Sequence, residues 1–192
     1  QKENTSVKTL NVGLAQVKDN SLLVGFFNGN LDFSGELKKL DSELNGILSS
    51  FIKSNNFKAE KGEVKSIFVN KSIKNIVLVG LGESEKFNFE ILAAAIADAS
   101  KRLRDNGSES FSIFLESFNN GKLKTGEVAE KIAISALMGL YKLTEYKTKD
   151  RDKIKRISQI TIVTNSSDKF ENELGYAGIV ADAVNKTRDM VN

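Results

Sequence analysis

Cysteine, histidine and proline are all absent from this 192-residue sequence, and each absence excludes a kind of chemistry. Without cysteine the chain has no disulfides and no thiolate metal ligands. Without histidine it lacks the commonest general base and the commonest metal ligand, so Ser-His and Cys-His pairs are excluded. A metal ion would have to be held by carboxylate and carbonyl oxygens alone. Without proline, no stretch has the composition of a stiff linker or a domain hinge.

Long apolar runs and a strong excess of one charge are also missing. No apolar run approaches the roughly 18 residues of a membrane-spanning helix, and the first residues contain no apolar signal core. The 28 basic residues exceed the 25 acidic ones by only three, and the two signs are interspersed. Net charge therefore does not favour a nucleic-acid partner. These totals predict one soluble domain with its own core, which we expect in the cytoplasm and away from membranes.

The most informative stretch is 74–82, which reads Lys-Asn-Ile-Val-Leu-Val-Gly-Leu-Gly. Its apolar residues are not interrupted by alternating polar ones, which is typical of a strand buried on both faces. We expect it to be the central strand of a sheet that helices cover on both sides. Gly80 and Gly82 are predicted to end this strand, and an alanine-rich helix follows from Asn88. A strand, a glycine turn and a helix form the start of a βαβ unit.

Hydrophobic periodicity predicts the remaining elements. Strands are expected at 6–16, 22–27, 64–69, 111–115 and 157–163, and helices at 41–53, 88–105, 125–141 and after Asp168. We expect the first two strands to pair as a hairpin. Asp41 is expected to cap the helix at 41–53 or to lie in its first turn, and Thr125 is expected to cap the helix at 125–141. Asp168 and Glu171 are expected to form a capping box for the last helix. The last helix has no stop signal before Asn192, so it looks cut rather than finished. The fold class predicted is α/β with three layers, a mixed but mostly parallel sheet between helices.

Gly80-Leu81-Gly82 is the first candidate for chemistry, because glycine turns after strands cradle phosphates in dinucleotide sites. The dinucleotide fingerprint needs a third glycine where this chain has Glu85, and Glu83 and Glu85 would repel a pyrophosphate. No Lys-Ser or Lys-Thr pair of a Walker loop follows the turn. The sequence therefore favours a turn that only shapes the fold.

Charged residues give two further candidates. A basic stretch, which has acidic residues at 150 and 152 and tyrosines at 141 and 146 nearby, is better explained as a solvated loop than as a nucleic-acid surface. Its members are Lys147, Lys149, Arg151, Lys153, Lys155 and Arg156. Asp98, Asp182 and Asp189 fall on predicted helices without metal-ligand or paired-carboxylate spacing, so surface or capping roles are expected. Arg188 and Asp189 are expected to form a local ion pair.

Three segments together resemble the leucine aminopeptidase family, also called cytosol aminopeptidase. Residues 77–82, which read Val-Leu-Val-Gly-Leu-Gly, resemble its hallmark strand and turn. Residues 139–149 resemble its Gly-x-Tyr-x-Phe-x-x-Tyr-Lys segment, with Leu143 at the aromatic position. Residues 185–192 resemble the Asn-x-x-Arg-Asp-Leu-Val-Asn segment between its two domains. The order and spacing agree across 74–192, whereas 1–70 fit only in pattern.

The resemblance implies a macro-domain-like fold and a single N-terminal accessory domain over 1–192, without the catalytic domain. In the family, the catalytic domain holds two divalent metals, Zn²⁺ or Mn²⁺, and removes N-terminal residues from peptides as a homo-hexamer. None of its metal or catalytic motifs occurs in this sequence. The resemblance therefore implies no catalytic, cofactor-binding or metal residue here, and no peptidase activity for this chain alone. Its implied partners are its own catalytic domain and neighbouring subunits, with a role in packing, assembly and access.

Two alternatives stay open at the level of sequence. A nucleic-acid-binding regulatory module is suggested by the basic residues from Lys147 to Arg156. A module of macro-domain type that binds an ADP-ribose-like nucleotide is suggested by the turn at Gly80–Gly82. A gel shift that survives moderate salt would favour the first alternative, and a thermal shift with ADP-ribose would favour the second.

Overall fold

A six-stranded sheet with helices on both faces forms the protein. The computed structural model describes residues 4–54, 56–141 and 156–191. The strands are β1 (Ser6–Leu10), β2 (Ser21–Asn28), β3 (Val64–Phe68), β4 (Asn75–Glu83), β5 (Ser110–Phe114) and β6 (Gln159–Val163). Their order across the sheet is β1-β6-β5-β2-β4-β3. All neighbours are parallel except β3 and β4, which are antiparallel, so the predicted mixed and mostly parallel sheet is confirmed.

In the described part of the chain, five α-helices complete the three layers. They are α1 (Gly35–Glu43), α2 (Ile47–Ser54), α3 (Phe89–Asp105), α4 (Thr125–Gly139) and α5 (Glu171–Val191). Alternate residues of β4 point to opposite faces, so Val77 and Val79 pack with α3, α4 and α5, whereas Ile76 and Leu78 pack with α1 and α2. Both faces of this strand are therefore buried, as its unbroken apolar run predicts.

Three expectations about the sheet are wrong. β1 and β2 do not form a hairpin, because β1 pairs with β6 at one edge while β2 lies between β5 and β4. β4 is an interior strand but not the central one, because its neighbour β3 is the edge strand. It also does not end at its glycines: Gly80 and Gly82 are inside the strand, which continues to Glu83.

The predicted helix at 41–53 is two helices. Asn45 and Gly46 have φ of 55° and 75°, so the chain turns through the left-handed region and α2 starts in a new direction. Asp41 lies near the end of α1, and its Oδ1 accepts hydrogen bonds from the backbone N–H groups of Leu48 and Ser49. Asp41 therefore caps a helix, but the second of the two rather than the one in which it lies.

Two helix starts differ from the prediction by a few residues. Lys124, not Thr125, precedes the first turn of α4, whereas Glu127 is in that turn as expected. Asp168 accepts from the backbone N–H of Phe170, and α5 begins only at Glu171, so the two acidic residues do not form a capping box. Phe170 has φ of 50°, and this tight turn moves the helix start past the position that the motif predicts. Asn88 caps α3 as its side chain accepts from Ile91 N–H.

Within the described ranges, no helix combines the length and apolar character that crossing a bilayer requires.

Candidate functional site

Gly80 and Gly82, which lie near the end of β4 and which we call the glycine turn, pack against the protein's own backbone. The Gly80 N–H donates to Glu63 O at 2.7 Å, and the Gly82 N–H donates to Ala59 O at 2.9 Å. A Cβ placed on Gly80 would lie 2.8 Å from the carbonyl carbon of Ala59, closer than real contacts allow. The glycines are therefore required because the 59–63 segment packs directly on them. The N–H groups that would cradle a phosphate are already used.

Polar contacts beside this turn also join β2 and the end of β4 to the segment that follows β5. The Gly25 N–H of β2 donates to Ser117 Oγ at 2.9 Å. The Asn120 amide donates to Ser84 O at 3.0 Å, and Lys122 pairs with Glu85 at 2.8 Å. The hydrogen bond and charge of Lys122 lower the pKa of the Glu85 carboxyl below its ordinary value. The acidic residue that occupies the place of the third fingerprint glycine thus joins the β4 turn to the segment after β5.

Glu116 makes a second link along the same edge of the sheet. Its Oε1 accepts from Thr164 Oγ1 at 2.5 Å and from the Asn165 N–H at 2.8 Å, so it ties the end of β5 to the end of β6. The sequence does not distinguish this carboxylate from surface ones, because its partners lie almost 50 residues away. It holds loops together, as the Ser117 and Lys122 contacts do.

The aspartates considered as ligands do not converge. Asp98 pairs with Arg102 at 2.8 Å, Asp182 pairs with Lys186 at 2.9 Å, and Asp189 accepts from a tyrosine of another segment. Among residues 4–54, 56–141 and 156–191, no three acidic side chains come together as a metal site would require. Of the basic stretch, 147–155 lies outside the described residues, and Arg156 is exposed.

Two of the three motif segments meet at the ends of α4 and α5. The Tyr141 hydroxyl donates to Asp189 Oδ1 at 2.6 Å. The Arg188 guanidinium lies 5.4 Å from the centre of the Tyr141 ring and donates to Met138 O at 3.4 Å. A cation over an aromatic face and a hydrogen bond to a carboxylate are each favourable contacts. We call Tyr141, Arg188 and Asp189, together with Arg104, the junction cluster.

Arg104 is the member of the junction cluster that the sequence does not reveal. Its Nη1 donates to Gly139 O at 3.3 Å and to Tyr141 O at 3.2 Å, and its side chain is only 11% exposed. It also holds Asp105 at 2.9 Å. A basic residue in the last turn of α3 is a helix-end signal, but the carbonyls that it satisfies belong to α4, which sequence spacing cannot show.

The architecture agrees with solved structures. A mutant of tomato leucine aminopeptidase superimposes with a TM-score of 0.79 at 19% identity, over 96% of this chain and 37% of that one. The macrodomain of Mycobacterium tuberculosis DarG superimposes with a TM-score of 0.60 at 11% identity, over 85% of this chain and 100% of that one. The fold is thus that of an α/β domain similar to a macrodomain, in which polar contacts join the domain's own segments.

Sequence comparison gives the family. The sequence pattern described as "Cytosol aminopeptidase family, N-terminal domain" matches residues 23–150. The probable cytosol aminopeptidase of Sulfurihydrogenibium sp. (strain YO3AOP1) is 32% identical over 185 residues, covering 93% of this chain and 36% of that protein. The chain belongs to the cytosol aminopeptidase family and corresponds to its N-terminal domain. It spans about a third of the length of the curated relatives that it matches.

Proposed function

We propose that this chain is the non-catalytic N-terminal accessory domain of a metal-dependent aminopeptidase. In this proposal the catalytic domain belongs to the part of the protein that corresponds to the remaining two thirds of the relatives. That domain would hold two divalent metals, Zn²⁺ or Mn²⁺, and would remove N-terminal amino acids from peptides. This chain would contribute packing, assembly of a homo-hexamer and control of access to the active site.

The observation that carries the proposal is the junction cluster. The segment at 185–192 resembles the family's interdomain segment, and the structure holds its Arg188 and Asp189 against Tyr141 of the other motif. These contacts fix the direction in which α5 runs relative to α4. A helix fixed in this way is suited to hold a following domain at a defined angle rather than on a loose tether.

The outer face of α5 supports an attachment role. Tyr176, Ile179, Met190 and Val191 are 55%, 70%, 86% and 80% exposed. Large apolar side chains exposed along one helix mark a surface that another part of a protein covers. We assign this face to contact with the catalytic domain and with neighbouring subunits.

A peptidase assay tests the proposal. The 192-residue chain and the same chain extended through its natural coding sequence are each incubated with leucine amide and Mn²⁺. The short chain is expected to release no leucine above a blank, and the extended chain to release it with a dependence on metal. Metal-dependent hydrolysis by the short chain would contradict the proposal, as would inactivity of a folded extended chain loaded with metal.

A further inference from the structure

A groove of about 390 Å³ runs along the outer edge of β1. β1 is the last strand on its side of the sheet, and among the described residues only β6 pairs with it. The groove lies between this edge and the first turns of α5. The groove is at the opposite edge of the sheet from β3, and its lining contains no residue of the junction cluster.

Within the described residues, the backbone of β1 has hydrogen-bonding groups that do not pair with β6 and are directed to this groove. The Ser6 N–H donates to Ser158 O, and Leu10 O accepts from the Thr164 N–H, so these residues face β6. Residues two apart in a strand face the same way, and the intervening ones face the other way. The N–H and C=O groups of Val7 and Thr9 therefore point away from β6, toward the groove. Two donors and two acceptors at the spacing of a strand fit another extended backbone.

The other wall of the groove leaves room for side chains. It is formed by Leu174 and Gly175 of α5, and Val7 packs partly against the same core as Leu174. A Cβ placed on Gly175 would meet nothing within 4 Å. The Thr9 hydroxyl donates to Lys169 O at 2.6 Å and so closes the space where the chain enters α5. An apolar side chain from an added strand would lie against Val7 and Leu174.

The charges of the groove select the occupant further. Lys8 and Lys169 line it, and Glu171 is the single acidic residue there. Glu171 is in the first turn of α5, where the positive end of the helix dipole offsets its charge. Lys8 alternates with Val7 and Thr9, so it faces the other side of the sheet, and a neighbouring strand would place every second residue beside it.

We propose that this groove binds an extended peptide segment of alternating apolar and acidic residues, which adds a seventh strand to the sheet beside β1. The backbone groups of Val7 and Thr9 provide the hydrogen bonds. The apolar side chains lie toward α5, and the acidic ones lie toward Lys8. This binding goes beyond the proposed function, because the peptide is held as a strand.

Fluorescence anisotropy and NMR test this proposal on the 192-residue chain. The probe is a fluorescein-labelled octapeptide of alternating valine and glutamate. Binding is expected with a dissociation constant on the order of 100–1,000 μM, and the amide signals of Val7 and Thr9 are expected to shift. The same peptide N-methylated at alternate residues, which lacks the donors of a strand, is expected not to bind. A peptide with lysine in place of glutamate is expected to bind at least about tenfold more weakly.

A matched pair of glycine variants tests the position of the groove. Gly175→Leu fills it, whereas Gly178→Leu places the same side chain in open space elsewhere on α5. Gly175→Leu is expected to weaken binding at least about tenfold and Gly178→Leu to leave it unchanged, with both variants folded by circular dichroism. The proposal is overturned if the octapeptide does not bind, if its N-methylated form binds equally well, or if the two variants behave alike.

Discussion

The glycine turn of β4 and the junction cluster are both marked in the sequence, yet they are built in opposite ways. At the turn, backbone packs on backbone, and the N–H groups of Gly80 and Gly82 bond to the 59–63 segment. At the junction cluster, long polar side chains connect the ends of three helices, with Arg104 reaching from α3 to α4. The glycines thus allow close packing of backbone segments, whereas the polar side chains fix the direction of α5 relative to α4.

The largest expected effect comes from adding one methyl group at the turn. Gly80→Ala would force Ala59 and Glu60 off the strand, and overpacking of this kind against backbone costs about 3 kcal/mol of unfolding free energy. Urea unfolding followed by circular dichroism measures the change. Gly175→Ala is the control: it has open space in a helix and should gain about 0.5–1 kcal/mol. Equal effects of the two substitutions would show that the turn is not closely packed.

The junction cluster is expected to be less costly to disturb. Arg104→Ala removes a largely buried charged donor from the carbonyls of Gly139 and Tyr141, which should cost about 2 kcal/mol in the same unfolding experiment. Arg102→Ala, two residues earlier on α3, breaks only an exposed pair with Asp98 and should cost no more than about 0.5 kcal/mol. If both variants lose the same stability, the contacts of Arg104 with α4 contribute nothing.

A smaller effect is expected from the ion pair of Lys122 and Glu85, which joins the segments that follow β4 and β5. This effect should depend on pH. Lys122 lowers the pKa of Glu85 in the folded state, so the pair stabilises the fold above the ordinary glutamate pKa. This contribution is lost as the pH falls through the lowered pKa. The wild type should therefore lose slightly more stability than Glu85→Gln between pH 6 and about 3 in urea midpoints. Parallel pH profiles for the two proteins would refute the role of the pair.

No effect at all is expected from a nucleotide. Because the N–H groups of Gly80 and Gly82 already bond to backbone carbonyls, ADP-ribose should not raise the melting temperature at millimolar concentration. Differential scanning fluorimetry measures this shift. A rise that increases with ADP-ribose concentration would mean that the turn opens to ligands despite its packing.

Local sequence signals predict most elements of the fold. The unbroken apolar run of β4 and the alanine-rich helix that follows from Asn88 depend on residues close together in the chain, and the structure confirms them. The hairpin of β1 with β2 is wrong because strand neighbours in a parallel sheet are chosen by long crossovers, which no short segment encodes. The division of the 41–53 helix depends on one asparagine in a left-handed conformation, which asparagine adopts only sometimes.

The candidate site is predictable only in part, for the same reason. The segments at 139–149 and 185–192 can be recognised from their residues, but their meeting through Tyr141 and Asp189 joins positions 48 residues apart. Arg104 escapes prediction because it lies in neither segment. The filling of the glycine turn by Ala59 and Glu60 is likewise a contact between distant positions. The residues of a short segment predict its local structure, whereas the segment that packs against a turn depends on contacts between distant positions.

Hydrogen exchange tests the contrast between the two regions most directly. Amide exchange is compared between the 192-residue chain and the same chain extended through its natural coding sequence. We predict that protection increases at 185–191 of α5 in the extended protein, while the amides of Gly80 and Gly82 are equally protected in both. Unchanged exchange at the end of α5, or a gain of protection at Gly80 and Gly82, would contradict the assignment of the junction cluster to attachment and of the turn to packing.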